Sequence, residues 1–267
     1  MARNLRLPSA LVAALLFSLS ACGGGEAGGD SSSEAATDDP LTGNLTVFAG
    51  ASLTDVFTEL GQRFESDHPN VEVTDYFNFG PSSGLATQIN EGAPADVFAS
   101  ANTTQMDVVV DAGSADGEPT VFAENVLQIA VPPGNPAGIT GLADFADPDL
   151  TLAICAPEVP CGVAAVTVFE AAGITPSVDS LEEDVRAALT KVELGEVDAA
   201  LVYVTDVISA GGAVEGIEFP EAEEAVNSYP IAAVAAAPNP DAAQAWIEFV
   251  LSEAGAAVLE DAGFRAP

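Results

Sequence analysis

Strand and helix patterns alternate along this chain from Leu45 to the C-terminus, and this alternation restricts the fold more than any other feature of the sequence. Short runs of β-branched and aromatic residues, typical of buried strands, are followed by turns and by apolar residues at helical spacing. This order predicts an α/β fold in which mixed, mostly parallel sheets are flanked by helices. We expect two lobes joined by two hinge crossings, with residues 44–123 and 231–267 in lobe 1 and residues 124–230 in lobe 2.

The first strand–turn–helix unit, Leu45–Glu59, carries a pattern suited to anion binding. Gly50 permits a tight turn after the strand, and Ser52 lies where an N-cap of the next helix belongs. The first N–H groups of such a helix lack internal acceptors and carry the positive end of its dipole, which suits a small anion. The same residues also fit an ordinary capped helix. A second serine pair, Ser82-Ser83, occurs at a second strand-to-helix turn.

The N-terminus has the features of an export signal. Arg3 and Arg6 precede an apolar stretch too short for a membrane span, so we predict a signal peptide at residues 1–21. The sequence Leu-Ser-Ala-Cys at its end resembles the lipobox of bacterial lipoproteins, which implies a lipidated Cys22, although a plain signal peptide is the alternative. Residues 22–43 are rich in Gly, Ser and acidic side chains and are predicted to form a flexible linker.

The strongly negative charge of the chain bears on two kinds of partner, nucleic acids and small anions. The chain has 41 acidic and six basic residues, and Arg63, Arg186, Lys191 and Arg265 are the basic residues that remain after the signal peptide. Nucleic acid is therefore excluded as a partner, because phosphate contacts need Lys and Arg. An anion bound here must be held by local dipoles and hydrogen bonds against an unfavourable long-range field, which salt partly screens.

Two cysteines remain in the predicted folded part, Cys155 and Cys161. In an exported protein such a pair favours a disulfide over a redox or metal site. Closing so short a loop would stabilise the fold by about 2 kcal/mol on the chain-entropy account.

The sequence also makes predictions for a strand between the lobes and for the start of a helix in lobe 2. Phe122–Pro132 is predicted to be one apolar strand that crosses between the lobes. The helix that follows residue 179 has two candidate caps. Ser180 with Glu183 fits a capping box, and Asp184 fits the cap of a slightly shorter helix.

Eight segments in consistent order over residues 44–265 resemble the molybdate-binding proteins of ABC import systems. The resemblance implies a two-lobe fold of the type II periplasmic-binding-protein class. No single segment is decisive, and the ordered set carries the resemblance. The segments are VFAGASLTD, FNFGPSSGLATQI, GAPADVFAS, PEVPCG, EEDVRAAL, GEVDAALVYVTD, FPEAEEAVNSYPIA and SEAGAAVLEDAGF.

The resemblance also implies a binding site between the lobes. In that family a tetrahedral oxyanion is held by hydroxyl and backbone N–H groups, without a counter-charged side chain. Position by position, the resemblance assigns hydroxyl donors to Ser52, Ser82 and Tyr203 and backbone donors to Cys161 and Val185. Whether the first or second serine of the Ser82 pair faces the ligand stays open.

Cys161 departs from the family pattern, which often has a small residue there. Because the family contact is through the backbone, the side-chain change need not remove it. A bond from Cys161 to Cys155 would stiffen the turn that presents the N–H, which is a hypothesis.

The function implied is capture of molybdate, or of the similarly sized tungstate, and delivery to an ABC permease and its ATPase. On this hypothesis molybdenum is bound only as the oxyanion ligand, and no cofactor or catalytic residue is expected. The protein is expected to be a monomer, anchored through Cys22 at the outer face of the cytoplasmic membrane or otherwise periplasmic.

Three other hypotheses compete with this one. A receptor for sulfate or another small oxyanion could use the same fold. Iron receptors of this fold tend to use clustered tyrosines, and this chain has only Tyr76, Tyr203 and Tyr229. A secreted hydrolase would need a base beside its nucleophile, and the sole histidine, His68, lies in a segment typical of a surface turn.

Overall fold

A computed structural model describes residues 40–267 of the chain. The predicted signal peptide, Cys22 and the linker up to residue 39 lie outside the described residues. Among the described residues, no helix is long and apolar enough to cross a membrane. The folded part begins slightly before residue 44, because Leu41 packs against the core and Gly43 pairs with Val71 in a short parallel ladder.

The described chain contains twelve strands and eight α-helices, with short 3₁₀ segments between them. The strands are β1 (Gly43–Asn44), β2 (Val47–Gly50), β3 (Val71–Glu72), β4 (Phe77–Gly80), β5 (Val97–Ala99), β6 (Ala115–Asn125), β7 (Leu127–Val131), β8 (Leu152–Cys155), β9 (Ser180–Glu182), β10 (Ala199–Tyr203), β11 (Glu215–Ile217) and β12 (Asn227–Val234). The helices are α1 (Thr54–Asp67), α2 (Ser82–Asn90), α3 (Thr103–Asp111), α4 (Pro160–Ala172), α5 (Val185–Glu193), α6 (Val204–Ala210), α7 (Pro240–Val250) and α8 (Glu253–Asp261).

Two five-stranded mixed sheets organise the fold. The first has the order β4-β2-β5-β12-β6, in which β2 runs parallel to β4 and β5 while β12 is antiparallel to both of its neighbours. The second has the order β11-β7-β10-β8-β9, with β8 parallel to β9 and β10 and with β7 antiparallel to its neighbours. We refer to the first sheet and its helices as lobe 1 and to the second as lobe 2. The predicted two-lobe α/β fold is confirmed.

The predicted long strand Phe122–Pro132 is in fact two strands, one in each sheet, separated at Val126. The Val126 N–H bonds to the Asn125 side chain at 3.0 Å, and the Val126 carbonyl accepts from Val204 N at 3.1 Å. These bonds divide the strand without any glycine or proline, so the sequence carries no turn signal there. The chain returns at Val226, just before β12. The exact lobe boundaries predicted from sequence otherwise stay a prediction.

Each lobe has its own apolar core. In lobe 1, Trp246 of α7 is fully buried and makes edge contacts with Phe57 and Phe64 of α1, with ring centroids 5.6 and 5.4 Å apart. In lobe 2, Phe145 and Phe169 pack 5.7 Å apart within a separate cluster. Aromatic pairs of this geometry add to the free energy gained from burial, so each lobe is stabilised largely by itself. The interface between lobes can therefore be more polar.

The helix that follows β9 is capped by Asp184, which decides between the two caps left open by the sequence. Its side chain accepts a bond from Ala187 N at 2.9 Å, and α5 begins at Val185. Ser180 instead begins the edge strand β9. A strand of three residues is too short for alternation to distinguish it from a helix start.

Candidate functional site

A small cavity of about 20 Å³ lies between the two lobes, and it brings together all five residues that the sequence assigned to a site. Their distribution follows from the topology. The carboxyl ends of β2, β4, β8 and β9 each lead into a helix, and ligands of open α/β sheets collect at such ends. The lining includes Ser52, Ser82, Cys161, Val185 and Tyr203.

The starts of several helices meet at this cavity. Ser82 and Val185 are the first residues of α2 and α5, and Cys161 is the second residue of α4. At each start the first backbone N–H groups have no acceptor within the helix, and the dipole places partial positive charge there. The cavity therefore has favourable electrostatics for an anion despite the acidity of the chain.

Ser52 does not cap α1, contrary to the simplest interpretation of the sequence. It lies in a 3₁₀ turn, Ala51–Leu53, and Leu53 occupies the N-cap position without a side-chain bond. The Ser52 Oγ instead lies 2.9 Å from the Tyr229 hydroxyl oxygen. The extra turn between strand and helix moves the Ser52 side chain off the capping position and onto the cavity wall.

Ser82, not Ser83, lines the cavity. Ser82 is 1% exposed, and its Oγ accepts a bond from Ala101 N at 3.0 Å. A Cβ atom added at Gly50 would lie 3.1 Å from the Ser82 Oγ and from the Ala101 Cβ. Glycine at position 50 thus lets the two strand ends of lobe 1 approach closely enough to share this wall.

Tyr203 places its phenol at the cavity from the end of β10. Its hydroxyl oxygen accepts a bond from Asn227 Nδ2 at 2.6 Å. Burial raises the pKa of the Tyr203 phenol well above its usual value, and the neighbouring Tyr229 and Asp206 raise it further. Tyr203 therefore keeps its proton and can donate it.

Cys161 presents a backbone N–H from the first turn of α4. Pro160, at the first helical position, has no N–H, so the first available donor of this helix belongs to Cys161. Cys155 and Cys161 form a disulfide that closes the turn before α4. The turn is also compact at Gly162, where an added Cβ would lie 1.8 Å from the Ala156 carbonyl oxygen.

Asp184 is the charged residue among the described residues that line the cavity, and these include no cation. Arg186, next to Val185, donates to Asp55 of lobe 1 and to Ser209 of lobe 2, both at 2.9 Å. Beneath Tyr203, one oxygen of the buried Asp206 accepts from Tyr203 N at 2.9 Å. The other Asp206 oxygen has no partner within the described structure.

Burial raises the pKa of the Asp206 carboxyl to about 7. The Tyr203 N–H bond and the charge of Arg186 act in the opposite direction, and the negative charges of Asp55 and Asp184 act with burial. Since a charge in a low-dielectric site is costly, Asp206 prefers its neutral form more strongly than an exposed carboxyl does.

Sequence reasoning missed the residues behind the cavity wall. Asn227 and Tyr229 lie two residues apart on β12 and contact the Tyr203 and Ser52 hydroxyls. Side chains two apart in a strand share a face, so the alternation in Asn-Ser-Tyr could have indicated that Asn227 and Tyr229 point to the same side of β12. It was not recognised because the partners are 24 and 177 residues away in sequence.

Within residues 40–267, His68 lies away from the cavity. His68 lies at the C-terminal end of α1, packed 4.5 Å from Phe64 between ring centroids. The cavity is at the other end of this 14-residue helix, about 20 Å away at 1.5 Å per residue. Among residues 40–267 there is no cluster of three or more His, Cys, Asp or Glu side chains able to hold a metal ion.

Comparison with known proteins identifies related chains. The profile of the family described as bacterial extracellular solute-binding protein matches residues 45–265. The molybdate-binding protein ModA of Mycobacterium tuberculosis is 41% identical over 268 residues, a match that covers 99% of this chain and 100% of that protein.

Two solved structures show the same fold. The periplasmic molybdate-binding protein of Azotobacter vinelandii superposes with a TM-score of 0.72 at 20% identity, covering 84% of this chain and 99% of that one. The sulfate-binding protein SubI of M. tuberculosis gives a TM-score of 0.73 at 19% identity, covering 84% and 86%. At these identities the likeness establishes the fold alone, so the ligand has to be argued from the cavity and from the 41% identical relative.

Proposed function

Because this chain belongs to the bacterial extracellular solute-binding proteins, and its 41% identical relative is a molybdate-binding protein, we propose that it captures molybdate between its lobes for an ABC importer. It is a transport protein that binds its solute rather than an enzyme. Its place is outside the cytoplasm, and its partners are the permease and ATPase of the importer.

The observation that carries the proposal is the donor character of the cavity. Ser52, Ser82 and Tyr203 offer hydroxyls, and the helix starts at Cys161 and Val185 offer backbone N–H groups. Molybdate is a dianion at neutral pH with only acceptor oxygens, so these donors satisfy it. The Asp184 carboxylate, which also lines the cavity, accepts from Ala187 N of its own helix. A protonated oxyanion would also need an acceptor.

The energies are sufficient for useful affinity. A hydrogen bond to a charged group contributes roughly 1.5–3 kcal/mol, and each helix start adds roughly 0.3–1 kcal/mol. Micromolar binding needs about 8 kcal/mol. A few such bonds therefore offset desolvation of the ion without any cationic side chain in the wall.

Delivery depends on closure of the two lobes. Both halves of the cavity must meet to surround the ion, so occupancy favours the closed arrangement that a permease can recognise. We further infer that Cys22 carries the lipid anchor at the outer face of the cytoplasmic membrane, that the protein acts as a monomer, and that tungstate, similar in size and charge, is accepted as well.

Calorimetric titration of the chain lacking residues 1–21 with molybdate, tungstate and sulfate tests the assignment. We expect molybdate and tungstate to bind at least tenfold more tightly than sulfate, which is distinguished mainly by its smaller size. Equal affinity for sulfate would instead make the protein a general oxyanion or sulfate receptor. Lack of binding of all three would refute the class.

A further inference from the structure

A chain of three hydrogen bonds behind the cavity joins a hydroxyl of lobe 1 to a hydroxyl of lobe 2. Ala101 N donates to the Ser82 Oγ at 3.0 Å, and the Ala101 carbonyl accepts from Asn227 Nδ2 at 2.9 Å. The same Nδ2 donates to the Tyr203 hydroxyl oxygen at 2.6 Å. All four residues are buried, so these bonds form away from bulk water.

The direction of each bond is fixed by chemistry. A carbonyl oxygen only accepts, so the atom of Asn227 that faces Ala101 O must be the amide nitrogen. That nitrogen only donates, so the Tyr203 hydroxyl must accept from it and keeps its own proton for another acceptor, which is the neighbouring Tyr229 hydroxyl or an ion in the cavity. The Ala101 N–H likewise only donates, which leaves the Ser82 proton free as well.

We propose that Asn227 is a positioning residue for oxyanion binding, because its amide donates to the Tyr203 hydroxyl oxygen, which leaves the Tyr203 proton available for an oxyanion, and links this hydroxyl through Ala101 to Ser82. This inference rests on the proposed function and deepens it. Asn227 does not line the cavity. It acts through the two hydroxyls that do.

The position of Asn227 in the fold couples this arrangement to the hinge. Asn227 is the first residue of β12, where the chain returns from lobe 2 to lobe 1, and it pairs in register with Asn125 at the other crossing. Its bond to Tyr203 spans the boundary between the lobes. The Asn227–Tyr203 bond therefore both orients the Tyr203 phenol and holds the two lobes together at this point.

A double-mutant cycle in molybdate titrations of the chain lacking residues 1–21 tests this role. Asn227→Ala and Tyr203→Phe should each weaken binding about 10- to 100-fold, as expected for bonds to a charged ligand. If Asn227 acts through the Tyr203 hydroxyl, the double variant should be weaker than Tyr203→Phe by less than about threefold. A merely structural role would make the two losses multiply.

Ser228→Ala is the matched control, because Ser228 is the next residue of β12 and its side chain is directed toward Glu124. It should bind molybdate as the wild type does. If Asn227→Ala does not fold, Asn227→Leu, similar in shape but without a donor, takes its place in the cycle.

Two results would overturn the inference while leaving the proposed function intact. One is wild-type affinity in the Asn227 variant, and the other is multiplication of the two losses in the double variant. Wild-type protein that binds no oxyanion would overturn the proposed function and this inference together.

Discussion

The two halves of the cavity supply different kinds of hydrogen-bond donor. Lobe 1 supplies the side-chain hydroxyls of Ser52 and Ser82, whereas lobe 2 supplies backbone N–H groups at Cys161 and Val185 together with the Tyr203 phenol. A hydroxyl is removed by one substitution. A backbone donor persists through most substitutions and is lost only when its turn moves.

What holds each half in place differs accordingly. In lobe 1, the Ser52 hydroxyl is hydrogen-bonded to the Tyr229 hydroxyl, and the Ser82 oxygen accepts from Ala101 N. In lobe 2, covalent and backbone features shape the turns, namely the disulfide before α4 and the Asp184 cap of α5. Substitutions of the lobe 1 serines should therefore act mainly on affinity, and substitutions in the lobe 2 turns before α4 and α5 mainly on stability.

The largest effect is expected from Ser52→Ala combined with Ser82→Ala. Loss of two hydrogen bonds to a dianion, each worth roughly 1.5–3 kcal/mol, should weaken molybdate binding about 100- to 10,000-fold in calorimetry. The unfolding midpoint should fall by only a few degrees, since most of the lobe 1 core is untouched. Ser83→Ala is the control and should bind normally, because Ser83 does not line the cavity. A collapse of stability with unaltered affinity would show that the two serines are structural.

Asp206→Asn tests how the buried carboxyl behind Tyr203, in the lobe 2 half of the cavity, makes the stability of the fold depend on pH. Its pKa is raised by burial to about 7, so the folded state holds this proton more tightly than the unfolded state. The stabilisation from this group is complete below the unfolded pKa near 4 and is lost as pH rises through 7, by up to about 4 kcal/mol.

Urea unfolding at pH 4.5 and pH 8 measures this effect. The gain in stability of Asp206→Asn over the wild type should be larger at pH 8. The exposed Asp107→Asn serves as the control for removal of a surface carboxylate. An identical gain at both pH values would mean that Asp206 titrates like an exposed carboxyl.

Cys155→Ser tests whether the lobe 2 turn needs its disulfide. Chemical unfolding should show a loss of about 2 kcal/mol, as expected for a short closed loop. If the disulfide stiffens the turn that presents the Cys161 N–H, molybdate affinity should also fall severalfold. Reduction of the wild type should reproduce both changes. Unchanged affinity would show that the tight packing at Gly162 suffices to hold the donor.

The smallest effect is expected from Arg186→Gln, which breaks the ion pair with Asp55 that joins the halves. Both side chains are substantially exposed, and such pairs contribute about 0–1 kcal/mol. Molybdate affinity should fall less than about fivefold, and the loss should shrink in high salt. Arg63→Gln, which breaks the Glu59 pair within α1, is the control for loss of a cation outside the lobe boundary. A loss above 100-fold would mean that Arg186 meets the ion directly.

The sequence predicted the strand-to-helix turn at Ser82, and the family resemblance assigned donors there and at Val185, but neither indicated the residues that support them. Ser82 and Val185 are the first residues of helices, and helical periodicity can be identified from neighbouring residues alone. Tyr229 and Asn227 looked like ordinary strand residues, because their function arises from contact with distant elements. The position of Ser52 was predicted, but its hydrogen-bond partner was not.

Local patterns by themselves determined the α/β class, the two lobes and the turns that carry polar donors, because periodicity, turn chemistry and helix starts act over a few residues. Only the tertiary structure showed that the Ser82 and Tyr203 oxygens each accept a hydrogen bond from an N–H donor and so keep their own protons for donation. This depends on which donor lies behind the oxygen, and Ala101 and Asn227 reach Ser82 and Tyr203 from 19 and 24 residues away in sequence. Packing of the two lobes thus converts ambivalent hydroxyls into donors, since a hydroxyl that accepts from a fixed N–H is left with its proton to give.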